Sequence, residues 1–257
     1  MAELPNGREL RLWSRGDEEI ANIVFWHGWD GYEPQTSGLL FRLAAKAEVT
    51  IDIGAHIGFY SVVAALANPA ATVFALEPHP EVFARLERTL RINEAGNVRA
   101  FRLAAGSEAG NGELLEPVSS ALTTMSTLSH EFALHADRFG ARPHRYGMRS
   151  FEVAVQPLDD FVAEQGIDRV DLLKIDTETT EDDVLRGAEA TLARDRPQIF
   201  CEVLNPQKGS AIEDLLKPLG YRFLRLDEGG PQPQARIVVE EGKNDYLFTT
   251  APDLVPR

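Results

Sequence analysis

The stretch V-T-I-D-I-G-A-H-I-G-F-Y-S at residues 49–61 decides how this chain reads, because an apolar run closes on an acid and then on a Gly-x-x-x-Gly turn. Residues 49–53 suit a strand buried on both faces of a parallel sheet. Gly54 and Gly58 let backbone come close to a ligand, and the helix that follows presents N–H groups with no intrahelical partner. A dinucleotide fingerprint would read G-x-G-x-x-G and would receive a pyrophosphate at that helix N-terminus. Here Ala55, His56 and Ile57 separate the glycines and Asp52 precedes them, so an anion is repelled while an amine or a sulfonium is attracted. S-adenosylmethionine carries both groups, and the expected cofactor is therefore S-adenosylmethionine rather than NAD.

Outward from this turn, residues 58–67 read as a helix broken at Pro69, and residues 72–76 as a second strand ended by Glu77 and Pro78. Glu77 falls at the spacing at which doubly wound folds set an acid on ribose hydroxyls. A helix over residues 80–93 carries Val82, Phe83, Leu86, Leu90 and Ile92 on one face, and a third strand covers 98–103. Residues 104–150 are polar and turn-rich, with a helix expected near 128–139; they read as a lid-like insertion over the ligand end of the sheet. Residues 151–155 alternate like an exposed edge strand, and 158–162 begin a short helix. The fourth core strand, 170–175, closes on Asp176, and Thr180 opens a capping-box-like helix through Glu181, Asp182 and Asp183 to about residue 192. A fifth strand at 197–204, a helix at 211–219 and strands at 221–226 and 246–249 complete the alternation. The expected fold is α/β, a mostly parallel sheet with helices on both faces and an antiparallel end. Residues 1–48 form a helical or irregular extension, and 49–257 the cofactor-binding domain with the insertion at about 104–150.

Composition narrows the partners. The net charge of -14, from 26 Lys and Arg against 40 Asp and Glu, argues against nucleic acid, whose binding relies on cationic side chains. The single Cys201 rules out an intramolecular disulfide and a multi-cysteine zinc site, and it reads as a core thiol in a reducing compartment. No signal pattern and no apolar run of about 20 residues is present, so a soluble, cytoplasmic protein with no membrane partner is expected. Oligomeric state is not encoded in any motif.

Taken together, the motifs have a family likeness. I-D-I-G-A-H-I-G-F-Y-S at 51–61, V-F-A-L-E-P at 73–78, D-L-L-K-I-D-T-E at 171–178, V-L-R-G-A at 184–188 and P-Q-I-F-C-E-V at 197–203 resemble the FkbM-type S-adenosylmethionine-dependent methyltransferases. Tyr32, Glu33 and Pro34 resemble a segment that family carries before its first strand. The resemblance implies a class I methyltransferase (Rossmann-like) fold and O-methylation of a hydroxyl on a sugar, polyketide or other natural product. It also implies that Asp52, Gly54, Ala55 and Gly58 line the methionine end of the cofactor, with Glu77 on its ribose; His56, inside the glycine turn, joins this candidate set. Two departures stand out. Thr179 occupies a position where the family carries Gly, so a different bend is expected after Glu178. Residues 103–107 lack an acid until Glu108, which leaves the adenine without an assigned partner.

Methyl transfer from a sulfonium is an in-line displacement, and a hydroxyl acceptor must be aligned and lose its proton. Asp176 and Glu178 are candidate bases at the carboxyl ends of the strands. Asp176, Glu202 and Asn205 are candidate ligands for Mg²⁺, a hard cation that takes one or two carboxylates plus waters and substrate. Glu178 and Glu181 have a second reading, as acids that complement a helix N-terminus. His130, His135 and His144 lie in the insertion without triad or metal spacing. Trp26, Trp29 and Tyr32 are either an aromatic wall for the acceptor or core. Two other classes compete: an NAD-dependent sugar-modifying oxidoreductase, which lacks its G-x-G-x-x-G and a Tyr-x-x-x-Lys pair, and a catalytically silent cofactor-binding module, suggested by Thr179.

Overall fold

The computed structural model describes residues 1–117, 127–129, 148–240 and 243–251. Its central sheet grows from the short apolar runs of the sequence. β3 (Val49–Ile53), β4 (Thr72–Leu76), β5 (Val98–Phe101), β9 (Leu172–Ile175) and β10 (Gln198–Glu202) are mutually parallel. β13 (Asp245–Thr249) runs antiparallel between β10 and β11 (Arg222–Asp227), and β12 (Gly230–Gln234) closes the edge, giving the order β12-β11-β13-β10-β9-β3-β4-β5. The expected α/β fold with an antiparallel end is what forms. β12 escapes a reading by periodicity because G-P-Q-P-Q has no apolar alternation; its two prolines suit an edge strand.

The period of two divides the sheet into faces. Leu173, Ile175, Ile199 and Phe248 pack in one core, with Leu158 and Phe161 of α5 (Leu158–Glu164), Val184 and Leu185 of α6 (Glu181–Arg186) and Ile212 of α8 (Pro206–Leu216). Leu172, Phe200 and Leu247 face the other way, into a core with α3 (Phe59–Ala67). Each such side chain contributes roughly 1.5–3 kcal/mol on burial. In α3 every residue from Phe59 to Leu66 is buried, which requires cover on the side away from the sheet. That cover is the N-terminal segment: a hairpin of β1 (Ala2–Glu3) and β2 (Glu9–Leu10), then α1 (Glu19–His27) and α2 (Pro34–Ala44). Leu39, Leu40, Phe41 and Ala44 of α2 join the α3 core, which carries Tyr32 and Glu33 to the carboxyl edge of the sheet.

Residues 104–150 differ from expectation. β6 (Ala104–Ala105), β7 (Gly110–Pro117) and β8 (Met148–Gln156) form a second sheet in the order β6-β8-β7, so β8 is its middle strand and not an edge. Its partner's sequence, G-N-G-E-L-L-E-P, is too polar to signal a strand, and Ala104, Leu114 and Val153 make a small core of their own. Most of the expected helix near 128–139, with His130, His135 and His144, lies outside the described residues.

The single helix expected from Glu181 is two, α6 and α7 (Glu189–Asp195). The break falls at Gly187, where a Cβ would sit 2.0 Å from the carbonyl oxygen of Gly106. Asp159 restarts the helix, its carboxylate accepting the N–H groups of Ala190 and Thr191 at 2.8 Å each.

Candidate active site

From β3 the chain continues to β4 on one side, and from β9 to β10 on the other. The crevice at the carboxyl ends of β3 and β9 is therefore the topological switch point, where open α/β sheets bind ligands. A cleft of about 390 Å³ opens there, within the ~300–1,000 Å³ of small-ligand sites.

One end of the cleft is built by backbone. The Gly54 and Ala55 N–H groups both donate to the Leu76 carbonyl, at 2.9 and 3.0 Å, which pins the turn after β3 to the end of β4. Gly54 has φ +79, and a Cβ there would lie 1.8 Å from the Asp176 carbonyl oxygen, so only glycine lets the two strand ends meet. The His56 N–H donates to Glu77 Oε2 at 2.9 Å and the His79 N–H to Oε1 at 2.8 Å. Burial pushes the Glu77 carboxyl up, and the N–H groups that His56 and His79 donate to it oppose this. A carboxylate has about four acceptor sites, so each Glu77 oxygen retains capacity for a ribose hydroxyl. Val82 of α4 (Pro80–Ile92), Leu103, Ala104 and Leu114 form the apolar wall beyond it. An adenosine moiety fits this end: hydroxyls on the acid, base against the aliphatic wall.

The structure sorts the six candidate cofactor residues. Gly54, Ala55, His56 and Glu77 line the cleft. Asp52 lies behind it, 2% exposed, its Oδ2 accepting the Ser61 hydroxyl at 2.5 Å; burial pushes its carboxyl up to about 6. Gly58 packs against Leu86 of α4. The reason is the strand period: Asp52 projects to the α3 face and anchors the first turn of that helix instead of the ligand.

The other end is acidic. Asp176, Glu178 and Glu202 line it, joined by Glu33 from the start of α2. Lys174 supplies the cation: buried at 1% exposure, its Nζ lies 2.9 Å from Asp176 Oδ2 and 5.1 Å from the Tyr60 ring centre. The Tyr60 hydroxyl donates to Glu33 Oε2 at 2.5 Å. Burial, then the neighbouring Asp176, pushes the carboxyls of Glu178 and Glu202 well above the usual range. Asp245 is pushed to about 7 by burial and by Glu33. This end suits an ammonium or sulfonium.

The expected Mg²⁺ set is not assembled. Asn205 caps α8, its Oδ1 accepting the Gln207 N–H at 2.8 Å. Among the described residues no group of three or more His, Cys, Asp or Glu side chains is arranged to hold a metal ion. After β9 the chain turns through positive φ, +56 at Glu178 and +78 at Thr179. Glu181 supports this turn, its Oε1 accepting from Thr177 N at 3.1 Å, Thr177 Oγ1 at 3.0 Å and Thr179 N at 3.0 Å. Thr180 makes no side-chain cap. Burial pushes the Glu181 carboxyl to about 7. Of the aromatic candidates, Tyr32 lines the cleft edge-on to Phe59, Trp29 packs on Phe41, and Trp26 is 75% exposed. Lys174, Glu33, Tyr60 and Glu181 were not singled out by sequence as site residues. A lysine inside the run L-L-K-I was the legible signal.

A parallel sheet with its cleft at this switch point, an acid ending the second strand of the nucleotide-binding half and an antiparallel end together define the class I methyltransferase fold. The FkbM methyltransferase from Methylobacillus flagellatus has a similar fold, with a TM-score of 0.53 and 17% identity over 90% of this chain and 52% of that one. The family model described as the methyltransferase FkbM domain matches residues 52–223, and the chain belongs to that family. Among curated relatives it is 34% identical to the 31-O-demethyl-FK506 methyltransferase FkbM of Streptomyces tacrolimicus, over 72% of this chain and 75% of that one. It is 29% identical to the methyltransferase sdnD of Sordaria araneosa, covering 68% and 74%. It also matches the AMB antimetabolite synthetase AmbE of Pseudomonas aeruginosa at 28% identity, spanning only 9% of that much longer protein. No helix among the described residues is long and apolar enough to cross a membrane.

Proposed function

We propose that this protein transfers the methyl group of S-adenosylmethionine to a hydroxyl of a small-molecule natural product. The observation that carries the reading is the two-ended cleft, with an adenosine-sized apolar and Glu77 end continuous with an acidic end around Asp176. The cofactor, when bound, supplies an electrophilic methyl group on a sulfonium. Glu77 holds its ribose hydroxyls, the backbone of Gly54 to His56 its middle, and the acidic end receives its cationic groups. Asp176 is the base: one carboxylate oxygen is held by Lys174, and the other is available to take the acceptor's proton. Glu178 and Glu202 line the same end and orient the acceptor oxygen by hydrogen bonding. The name of the Streptomyces tacrolimicus relative supports O-methylation. The charge of -14 supports a small-molecule acceptor over nucleic acid. The cation at this end is the Lys174 ammonium, so turnover is expected to survive chelation by EDTA.

Residues 49–257 act as the methyltransferase domain, and 1–48 close it from outside by placing Glu19, Ile20, Tyr32 and Glu33 on the cleft wall. Thr179, which suggested a silent module, adopts a positive φ of the kind glycine favours. The test is thermal unfolding with S-adenosylhomocysteine, S-adenosylmethionine or NAD, followed by mass-spectrometric detection of methylated products from a hydroxylated panel. Stabilisation by about 2.7 kcal/mol is expected at roughly 100 times the dissociation constant of either adenosyl ligand, with none from NAD. Stabilisation by NAD alone would overturn the reading. Cofactor binding without methylation of any panel member would favour the silent module.

A further inference from the structure

A lysine in the middle of a central parallel strand is out of place: β9 lies between β3 and β10, and its other residues are Leu172, Leu173 and Ile175. Buried lysines are rare unless paired, because the ammonium loses its hydration. The strand period puts Lys174 on the same face as Leu172 and as Asp176, two residues on, so the ammonium lies under the last side chain before the cleft. Asp52 occupies the register position opposite Lys174 on β3. Around it stand Glu33 from the start of α2, Tyr60 on α3 and Asp245 on β13, while Glu178, Glu181 and Glu202 surround Asp176 from the following turn, α6 and β10. One buried cation therefore serves a ring of carboxylates, and among the described residues its hydrogen bond goes to Asp176.

We propose that Lys174 is a positioning residue: its ammonium fixes one oxygen of Asp176 and supports the Tyr60–Glu33 pair from beneath, so that Asp176 is the carboxylate presented as base. This rests on the reading of the cleft as a methyl-transfer site, but its physical content, the control of Asp176 by Lys174, is testable without an acceptor. A hydrophobic residue would fill the position equally well if packing were its only task. What it would not do is favour the charged form of the carboxylate at 2.9 Å.

The experiment is a carboxyl ¹³C NMR titration of the full chain, with Asp176 assigned by its loss in Asp176→Asn, compared between wild type and Lys174→Met. The titration midpoint of Asp176 is expected to be higher in Lys174→Met than in wild type, because an opposite charge beside a carboxylate favours its charged form, while S-adenosylhomocysteine affinity changes little. An unmoved midpoint in a folded Lys174→Met overturns the proposal, whether or not the cofactor binds. A moved midpoint without binding of S-adenosylhomocysteine upholds the pair and instead sinks the methyl-transfer reading. If Lys174→Met does not fold, Asp176→Asn tests the pair from the other side: the ¹⁵Nζ resonance of Lys174 should shift and its ammonium exchange faster with water. An unchanged lysine signal there overturns the proposal.

Discussion

The turns after β3 and β9 stand side by side at the switch point, yet they are made in different ways. The first places two glycines at φ +79 and +90 and His56 at φ +50, and its N–H groups are taken by a neighbouring strand end and by Glu77. The second forces Glu178 and Thr179 to φ +56 and +78, and one buried carboxylate, Glu181, holds it in place. A β-branched residue at positive φ is an outlier that persists only where its surroundings over-determine it. The first turn is thus held by the end of β4, whose Glu77 lies 21 residues from His56. The second stores strain next to the proposed base and is held by Glu181, two to four residues on, and by the Thr127 hydroxyl, which donates to the Glu178 carbonyl at 2.6 Å.

Four measurements would break or sharpen this contrast. Gly54→Ala should have the largest effect, because its Cβ meets the Asp176 carbonyl at 1.8 Å; a loss of at least about 3 kcal/mol in chemical denaturation is expected. A near-neutral result would mean that the two turns are not locked together. Asp176→Asn should lower kcat by about 10²–10⁴ with cofactor affinity little changed; equal losses in both would assign Asp176 to binding.

Stability should also depend on pH through the buried acids behind the two turns, Asp52 and Glu181. Both carboxyls hold their protons to higher pH in the folded chain than in the unfolded one, from 3.8 to about 6 and from 4.5 to about 7. Their contribution is therefore complete below about pH 4 and is lost as the pH rises through 6 and 7, on the order of 2–3 kcal/mol each. Asp52→Asn should flatten the lower part of that decline in melts taken from pH 4 to 8. If its slope matched wild type, the burial of Asp52 would not be felt as proton uptake. The smallest effect belongs to Thr179→Gly, which removes the strained side chain and a buried hydroxyl with no hydrogen-bond partner among the described residues. A gain of about 0.5–1 kcal/mol is expected, after the entropy that glycine adds to the unfolded chain. A loss would show that the Thr179 methyl packs better than its backbone is strained.

The elements legible in advance were those whose signal is local. β3, β4, α4 and β9 follow from period and punctuation, and Glu77 from its distance past the glycine turn. The second sheet was not legible, because β7 pairs with β8 across the 30 residues 118–147 and has too polar a sequence to stand out. The split of α6 from α7 was missed because the contact that requires Gly187 is with Gly106, some 80 positions away.

By itself the sequence determined the α/β class with its antiparallel end and the family, and it singled out Gly54, Ala55, His56 and Glu77, which line the cleft, since these rest on patterns confined to one strand and its turn. Tertiary structure alone decided that Asp52 anchors α3, that Asn205 caps a helix, and that Lys174, Glu33 and Tyr60 converge on Asp176. Those outcomes depend on which strand faces meet and on how charges share a buried space, and neither is a property of any single segment.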